Sequence, residues 1–305
     1  MKLCVISCTL FTDPSKVDPA SQYWANVETE NTEVEEALRR AGYEVERVSW
    51  DDPAVDWDKY DYGVIRTVWN YYELPREFGA WLSALKLPLI NPRELIEWNQ
   101  DKRYLAELQD KHGIAIPPTL FITPEREDKK TLRDLAFSQG WDEVVLKPAI
   151  GGAAYLTFRL RSADDVTPEL ETLFAERLRD GYTWLLQEFQ RNILTKGEYS
   201  YMLFGGVVSH AIVKRGKAGE YRIQDDHGGS WSPRDMLDDE VAFARKASAA
   251  ANDPAICSVD MLHDNEERLV LGELEVIEPE LWFRMRPTEA ADLFAAAVKK
   301  HIDSL

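Results

Sequence analysis

Short apolar runs alternate with longer segments of helical spacing over the first hundred residues. Residues 27–40 carry apolar side chains three or four positions apart, which predicts a helix that ends before Gly42, and Pro75 is expected to open a second helix. The predicted strands lie at residues 3–6, 43–48, 62–65 and 88–92. Strands that alternate with helices in this way predict a mostly parallel open sheet.

Residues 93–111 predict one or two helices, which His112-Gly113 is expected to close. From residue 116 the pattern changes, and the second half of the chain is rich in strands. Later helices are predicted near 131–138, 168–179, 238–250 and 288–302. Later strands are predicted at 119–122, 143–147, 157–160, 183–187, 198–204, 207–213, 256–262 and 268–276. We therefore place a first domain boundary near residue 113.

Composition and charge narrow the classes of partner. The 305 residues are 45% hydrophobic and 30% charged, which is enough chain for about two globular domains with a large core. Acidic residues outnumber basic ones by 54 to 36, and the formal charge is -18. Because such a surface repels phosphate backbones and anionic lipid, we expect neither a nucleic-acid partner nor a membrane partner. No run of about 18 apolar residues occurs that could span a bilayer.

The cysteines indicate a reducing compartment. Cys4, Cys8 and Cys257 cannot all pair, and no Cys-x-x-Cys motif is present. The apolar run at the N-terminus is too short for a signal-peptide core, and Asp13 follows it closely. We therefore expect reduced thiols in a cytoplasmic protein.

Three common motifs are missing, and each absence disfavours a class of enzyme. The sequence contains no GxxxxGK[ST] phosphate loop and no GxGxxG after its first strand. It also contains no GxSxG nucleophile motif. An ordinary P-loop enzyme, a nicotinamide oxidoreductase and a serine hydrolase are therefore disfavoured.

A lysine at the end of a predicted strand is a candidate phosphate ligand. Lys147 precedes the small-residue run Gly151-Gly152-Ala153-Ala154, whose N–H groups could bind phosphate oxygens together with the lysine. Lys102 lies in a helical segment and is a weaker candidate. Taken singly, each lysine is equally compatible with an exposed charge at a strand edge or on a helix.

Three acidic residues near the C-terminus form a candidate metal site. Glu273 and Glu275 are two residues apart on one strand and therefore share a face, and Asp260 joins them if its strand pairs with theirs. Three hard oxygen ligands suit Mg²⁺ with bridging phosphates. The alternative is a solvated acidic face. The apolar neighbours of these residues would point to the core, so the carboxylates cover either solvent or a cleft.

The ordered combination of these motifs is more specific than any one of them. Polar segments at 187–189, 197–200, 213–215 and 219–229 lie between the lysines and the carboxylates. In this order the chain resembles the ATP-grasp superfamily over about residues 92–287, and within it the glutathione synthetase and RimK-type ligases. Three segments, 66–71, 98–105 and 273–279, are similar to the subgroup of cyclo-ligases that form D-cycloserine from O-ureido-D-serine.

The resemblance implies an α/β protein with the ATP-grasp fold. It assigns residues 1–112 to an N-terminal open, mostly parallel α/β domain. Two α+β subdomains that clamp ATP would follow, a lid over 113–190 and a C-terminal subdomain with the metal site over 191–305.

The resemblance also implies the residues that contact ATP. Lys102, Lys147 and Lys214 would hold its phosphates beneath the small-residue loop. Residues 187–189 would contact adenine, largely through backbone groups, and Glu198 would bind the ribose hydroxyls. The implied ATP-binding set is Lys102, Lys147, Gly151, Gly152, Ala153, Gln187, Glu188, Phe189, Glu198 and Lys214.

By the same resemblance Asp260, Glu273 and Glu275 bind Mg²⁺. Glutathione synthetase has Glu-x-Asn where this chain has Glu273-Leu274-Glu275, and the additional carboxylate bears on the preference between Mg²⁺ and Mn²⁺. The loop from Gly151 to Ala154 is also poorer in glycine than that of many relatives, so we expect it to be stiffer or to close differently.

The implied reaction is the activation of a carboxylate through an acylphosphate, with Lys147 and Arg222 as the catalytic cations. A nitrogen nucleophile then attacks, forming a carbon–nitrogen bond and releasing phosphate. We expect a small amino-acid-like substrate held by Arg66, Asn70 and His227, although an ordinary surface arginine and a turn histidine are also compatible with the pattern.

Several alternatives to cyclisation stay open at this point. The ligation could join two molecules, the reaction could stop at a phosphorylated product, or the chain could be a nucleotide-binding regulator without turnover. A homodimer would be usual for relatives.

Overall fold

Three β-sheets follow one another along the chain and form the framework of the protein. The computed structural model describes residues 1–16, 21–126, 130–217 and 229–305. Among these residues, no helix combines the length and the apolar character that crossing a bilayer requires. Single turns of 3-10 helix occur at Pro14–Lys16, Trp57–Lys59, Ala163–Asp165 and Phe283–Met285.

The first sheet is open and entirely parallel, which confirms the prediction. Its strands are β1 (Lys2–Ser7), β2 (Glu44–Ser49), β3 (Tyr62–Ile65) and β4 (Leu89–Ile90), in the order β2-β1-β3-β4. The connecting helices are α1 (Thr9–Thr12), α2 (Gln22–Arg40) and α3 (Pro75–Ala84). Strands β1 and β3 are almost wholly apolar and buried, as expected for strands in the middle of a covered parallel sheet.

Two helices lead from the first sheet to the second, which is antiparallel. They are α4 (Arg93–Gln100) and α5 (Tyr104–His112), and Gly113 ends α5 in a left-handed conformation. The strands are β5 (Thr119–Ile122), β6 (Val144–Pro148), β7 (Phe158–Leu160) and β8 (Trp184–Glu188), in the order β5-β8-β6-β7. Helices α6 (Leu132–Ala136) and α7 (Pro168–Arg179) share a core with this sheet.

The third sheet is also antiparallel and carries the candidate metal ligands. Its strands are β9 (Glu198–Phe204), β10 (Val207–Arg215), β11 (Ser230–Pro233), β12 (Ile256–His263) and β13 (Leu269–Glu275), in the order β11-β10-β9-β12-β13. The accompanying helices are α8 (Ile193–Lys196), α9 (Asp238–Ala250) and α10 (Pro287–Ile302).

The sequence pattern predicts most of these elements but misses two short helices and one short strand. Helices α1 and α8 were not expected, because four residues make barely one turn and show no apolar repeat. Strand β11 was not expected because Trp231 is its one large apolar side chain apart from the proline. Helix α2 begins at Gln22, earlier than the predicted range of 27–40.

The two ends of the chain share one hydrophobic core. Phe294 and Val298 of α10 pack in the same cluster as Val34 and Leu38 of α2, together with Phe204 of β9. The three sheets lie within the ranges 1–112, 113–190 and 191–305, but α10 packs on the N-terminal unit and not only on its own. The domain limits themselves stay a prediction.

Side chains from α4 and α5 cap the outer edge of strand β13. Asn99 donates to the Leu274 carbonyl oxygen at 2.6 Å and accepts from the Val276 N–H at 3.0 Å. The Tyr104 hydroxyl bonds both the N–H and the carbonyl of Leu274, at 2.9 and 3.0 Å. Because an edge strand otherwise has unpaired backbone groups, these contacts fix the strand that carries Glu273 and Glu275.

A buried histidine ties the third sheet to the segment that follows β13. His210 of β10 is 4% exposed, and its Nε2 donates to the Leu281 carbonyl oxygen at 2.9 Å. Burial lowers the pKa of His210 from its ordinary value of 6.5 to about 4, so the folded protein keeps this imidazole neutral.

We predict that His210 makes the fold sensitive to acid. Because its folded pKa lies below its unfolded value, the stability that it contributes is present above pH 6.5 and is lost as the pH falls toward 4, by about 3 kcal/mol in total. Urea denaturation across this range should show a flatter pH dependence of the unfolding free energy for His210→Gln than for the natural protein. Equal slopes for the two proteins would contradict the assignment.

Candidate active site

A cleft opens between the second and third sheets, and loops of the N-terminal unit close one of its ends. Its cavity volume is about 350 Å³. One wall is formed by β6 and β8 of the second sheet, and the opposite wall by the ends of β9, β10, β12 and β13. Most of the site residues predicted from the sequence line this one cavity. They are Lys102, Lys147, Gly151, Gly152, Ala153, Gln187, Glu188, Phe189, Glu198, Lys214, Asp260, Glu273 and Glu275.

Two lysines approach the cleft from one side but differ in their partners. Lys102 follows α4, and its Nζ lies 2.7 Å from Glu273 Oε1 and also bonds the Gly151 carbonyl. Although burial opposes it, the Glu273 carboxylate raises the pKa of Lys102. Lys147 alternates along β6 with the buried Leu146 and Pro148, and its ammonium has no hydrogen bond or salt bridge within the described ranges. Burial lowers the pKa of Lys147, as expected for a cation that lacks a close counter-ion.

The third lysine joins two carboxylates on the opposite wall. Lys214 Nζ lies 3.3 Å from Asp260 Oδ2 and 3.4 Å from Glu198 Oε1. These three residues come from the neighbouring strands β10, β12 and β9. Against the effect of burial, the two carboxylates raise the pKa of Lys214, while burial raises the pKa of Glu198 to about 7.

A β-bulge at Gly272 brings the candidate metal ligands together. Asp260 pairs with Glu273 but Met261 pairs with Leu271, so Gly272 is an extra residue in β13. A Cβ atom at Gly272 would lie 3.1 Å from Leu262 Cδ2 and 3.4 Å from the Asp260 carbonyl oxygen, so a side chain there would require the Leu262 side chain to shift.

The carboxylates of this face repel one another. Ser258 Oγ lies 3.5 Å from Asp260 Oδ1 and 3.4 Å from Glu275 Oε2, which places it between the two acids. Burial, and then the charges of Asp260 and Glu273, raise the pKa of Glu275 well above its usual range. Within the described ranges, no three acidic, histidine or cysteine side chains converge closely enough to hold a metal ion in this arrangement. The lysines supply the compensating charge instead.

The small-residue loop over the cleft adopts a strained backbone. Ala153, Ala154 and Leu156 have positive φ angles of 46°, 56° and 47°, which residues with a side chain rarely adopt. The ring of Tyr155 contacts the ring of Tyr72 from the N-terminal unit, at 5.3 Å between centroids. The loop is therefore packed down onto the N-terminal unit.

The segment assigned to adenine already uses some of its backbone donors. The Glu188 N–H bonds the Pro118 carbonyl and the Phe189 N–H bonds the Glu143 carbonyl, both at 2.9 Å. These two N–H groups are therefore not available to a bound ring. Of the expected backbone contacts at these two residues, only those through the carbonyl oxygens are left, beside contacts through the side chains.

Two predicted substrate residues lie outside the cleft lining and need correction. Arg66 is 2% exposed and pairs with Glu30 at 3.1 Å, so it is not the surface or pocket arginine expected from the sequence. Asn70 bonds the side chains of Trp50 and Asp51, both at 2.8 Å. Asn70 is thus used within the N-terminal unit, whereas Arg66 also donates to the Pro279 carbonyl oxygen beyond it. The other two predictions, Arg222 and His227, lie outside the described residues and stay predictions.

Sequence reasoning missed the residues that line the end of the cleft nearest the N-terminal unit. They are Tyr23, Tyr72, Glu278, Glu280 and Trp282. Trp69, from the segment 66–71 on which the resemblance rests, lines the same end of the cleft. Glu278 and Glu280 continue the acidic run of β13 but lie beyond the end of the strand, where alternation no longer tells which way a side chain points. Tyr23 and Tyr72 gave no signal.

The arrangement separates charge along the cleft. Cationic groups and the small-residue loop lie beside paired acids in the middle, and aromatic and acidic groups lie at the N-terminal end. Such a site can bind a polyanion together with a divalent cation, beside a smaller polar ligand.

Comparison of the sequence and the fold with known proteins identifies relatives of this chain. A family model described as the N-terminal domain of D-cycloserine synthetase DcsG matches residues 8–91. The cycloserine biosynthesis protein DcsG of Streptomyces lavendulae is 31% identical over 263 residues, which cover 81% of this chain and 85% of that protein. The crystal structure of D-cycloserine synthetase DcsG superposes with a TM-score of 0.83 at 25% identity, covering 99% of this chain and 100% of that one.

A more distant structure shares the fold alone. D-alanine–D-alanine ligase from Bacillus anthracis, solved in complex with ATP, gives a TM-score of 0.66 at 13% identity, covering 98% of this chain and 96% of that one. The α/β ATP-grasp fold expected from the sequence is therefore confirmed. The identity to DcsG extends over most of both chains, and the chain accordingly belongs to the DcsG family of ATP-grasp enzymes, which are ATP-dependent ligases that form carbon–nitrogen bonds.

Proposed function

We propose that this ligase phosphorylates the carboxylate of a small amino-acid-like substrate and closes the product with a nitrogen of the same molecule, as in the formation of D-cycloserine. The observation that carries the proposal is the ammonium of Lys147, which has no salt bridge or hydrogen bond among the described residues and shares the cleft with the acids of β12 and β13. A half-buried cation without a close counter-ion in this part of the chain is a ready partner for a phosphate group.

We assign the nucleotide to the part of the cleft between β6, β8 and β9. Gln187, Glu188 and Phe189 form its far wall, where an adenine ring would be held. Glu198 faces the same space and would bind the ribose hydroxyls. ATP and magnesium are the general cofactors of ATP-grasp ligases.

The lysines and carboxylates form pairs that a nucleotide with its metal could exchange. Lys102 pairs with Glu273, and Lys214 pairs with Asp260 and Glu198. When phosphates enter with a divalent cation, the lysines would turn to the phosphate oxygens and the acids to the cation. Each charged side chain would then exchange one partner of opposite charge for another, so that binding leaves no buried charge unpaired.

The donor set suits a hard divalent cation. Asp260, Glu273 and Glu275 offer carboxylate oxygens from two paired strands, and their mutual repulsion would be relieved by a cation between them. Mg²⁺ bound there would neutralise the charge of the phosphates and keep the terminal phosphate polarised. We propose the same three residues for Mn²⁺, should the additional carboxylate favour it.

The chemistry then needs no covalent protein nucleophile. An oxygen of the substrate carboxylate attacks the γ-phosphorus, the bond to the β-phosphate oxygen breaks, and ADP leaves. The substrate nitrogen next attacks the acyl carbon, loses a proton, and expels phosphate. Lys147 would stabilise the charge on the transferred phosphoryl group, and Arg222 would act on the tetrahedral intermediate.

We predict that Lys147→Met lowers ADP formation by about 100-fold or more, because it removes a charge that acts on the transferring phosphoryl group. Lys196→Met in α8 is the matched control, since that lysine is partly exposed and pairs with Glu267. Thermal unfolding should show that both variants fold. Full activity in Lys147→Met would remove the assignment.

We predict that Glu275→Gln raises the Mg²⁺ concentration needed for half-maximal turnover by at least about tenfold, a loss typical even of an outer-shell partner of a metal. Chelation with EDTA should abolish turnover in the natural protein. Mn²⁺ is titrated in parallel to test the metal preference. Glu266→Gln, which changes an exposed loop acid, should leave the midpoint unchanged. A midpoint in Glu275→Gln equal to that of the natural protein would contradict the metal assignment.

We predict that O-ureido-D-serine with MgATP gives ADP, phosphate and a cyclised product, without an amine from a second molecule. Chromatography separates ADP from AMP, and mass spectrometry identifies the product. AMP would indicate an adenylate and exclude the acylphosphate route. A product that incorporates an added amino acid would favour ligation between two molecules.

A further inference from the structure

Two acids of the cleft, Glu278 and Glu280, have no role in the assignments above. Glu278 follows β13 and lines the end of the cavity that the N-terminal unit closes, together with Trp69, Tyr72 and Trp282. The nucleotide and metal assignments occupy the other parts of the cleft. Glu278 therefore faces the space that is left for the second substrate.

The N-terminal unit holds Glu278 in place through both its backbone and its side chain. Trp69 Nε1 donates to the Glu278 carbonyl oxygen at 3.3 Å, and Arg66 Nη2 donates to the next carbonyl, that of Pro279, at 2.7 Å. The Tyr71 hydroxyl lies close to the Glu278 carboxylate. These contacts fix the carboxylate before a ligand arrives, which is the condition for selective recognition.

Glu278 forms no salt bridge in the part of the chain that the structure describes, unlike most of its acidic neighbours. Three neighbours form one: Glu273 with Lys102 (2.7 Å), Asp260 with Lys214 (3.3 Å) and Glu280 with Arg284 (2.6 Å). Glu275 forms none among the described residues either, but it belongs to the candidate metal site. Lys102 and Arg66 act on Glu278 only from beyond salt-bridge distance, and Tyr71 beside it is a neutral hydroxyl. A partly buried carboxylate of this kind gains most from a cation that the ligand supplies.

We propose that Glu278 binds the cationic amino group of the amino-acid-like substrate. A Cβ atom added at Gly152 would lie 3.8 Å from Glu278 Oε1 and 3.0 Å from the Tyr72 ring, so the loop, the ring and the acid enclose a narrow space. A compact ammonium group fits such a space, donates charge-assisted hydrogen bonds to the carboxylate, and is favoured beside aromatic rings.

This assignment also orients the substrate, and it rests on the proposed function. Glu278 repels the substrate carboxylate, whereas Lys102 and Lys147 attract it from the middle of the cleft. The amine is therefore held at the N-terminal end, and the carboxylate points toward the terminal phosphate. Glu278 would thus select substrates that carry both groups.

The test is Glu278→Gln, which keeps the shape and the acceptor for Tyr71 but removes the charge. We expect the KM for O-ureido-D-serine to rise about 10- to 100-fold, the range for loss of a hydrogen bond to a charged group, while the KM for ATP and the Mg²⁺ midpoint stay unchanged. Glu280→Gln is the matched comparison, and it should raise the substrate KM less because Arg284 already compensates Glu280. Thermal unfolding of both variants monitors the fold.

Three outcomes would overturn the proposal. The first is an unchanged substrate KM in Glu278→Gln, and the second is a larger rise of the substrate KM in Glu280→Gln than in Glu278→Gln. The third is a change of the Mg²⁺ midpoint in Glu278→Gln without a change of the substrate KM, which would make Glu278 a metal ligand.

A second measurement needs no variant. The deamino counterpart of O-ureido-D-serine should bind the natural protein more weakly by the same factor, and Glu278→Gln should not distinguish the two compounds. Equal binding of both by the natural protein would overturn the proposal.

Calorimetric binding separates the two hypotheses. Binding of O-ureido-D-serine that depends on its amine and on Glu278, without any ADP formation, would refute the proposed ligation and keep the amine site. Turnover that does not depend on the amine would refute the amine site alone.

Discussion

Charge compensation across the cleft is the constraint on which the rest of this structure depends. The acids of β9, β12 and β13 lie on paired strands and line one cleft, and a group of carboxylates removed from water is stable only when cations or protons offset their charge. Lys102 and Lys214 supply that charge from other elements. The same pairs prepare the cleft for a nucleotide and its metal, because both partners can exchange their contacts together.

The walls that hold these charges come from distant parts of the chain. Asn99 and Tyr104 complete the hydrogen bonding of β13, and the buried pair of Glu30 and Arg66 anchors the segment after it. Glu30 also accepts the N–H groups of Leu281 and Trp282, both at 2.8 Å. The cleft is therefore a joint product of the N-terminal unit and the third sheet, and α10, which packs on α2, holds the two together.

Arg66 shows why a site built from remote parts of the chain is hard to predict from the sequence. An arginine at the carboxyl end of a parallel strand is a reasonable candidate for binding a ligand. Here the protein itself supplies the partners, since Arg66 is buried and its Nη2 donates to Glu30 and to the Pro279 carbonyl oxygen. Arg66 thus does not line the cleft, but it holds the segment that carries Glu278. No local pattern shows this, because Glu30 and Pro279 are remote from Arg66 along the chain.

The sequence by itself determined the parallel first sheet, most helix and strand positions, and the residues of the central cleft. The spacing of apolar residues and the order of lysines, small residues and acids are properties of the sequence itself, so they can be recognised without a structure. Only the tertiary structure decided which lysine pairs with which acid, that Lys147 has no partner among the described residues, and that Glu278 faces the cleft. Those facts depend on the packing of three sheets against one another, and distances between elements far apart in the chain are not encoded in the spacing within any one of them.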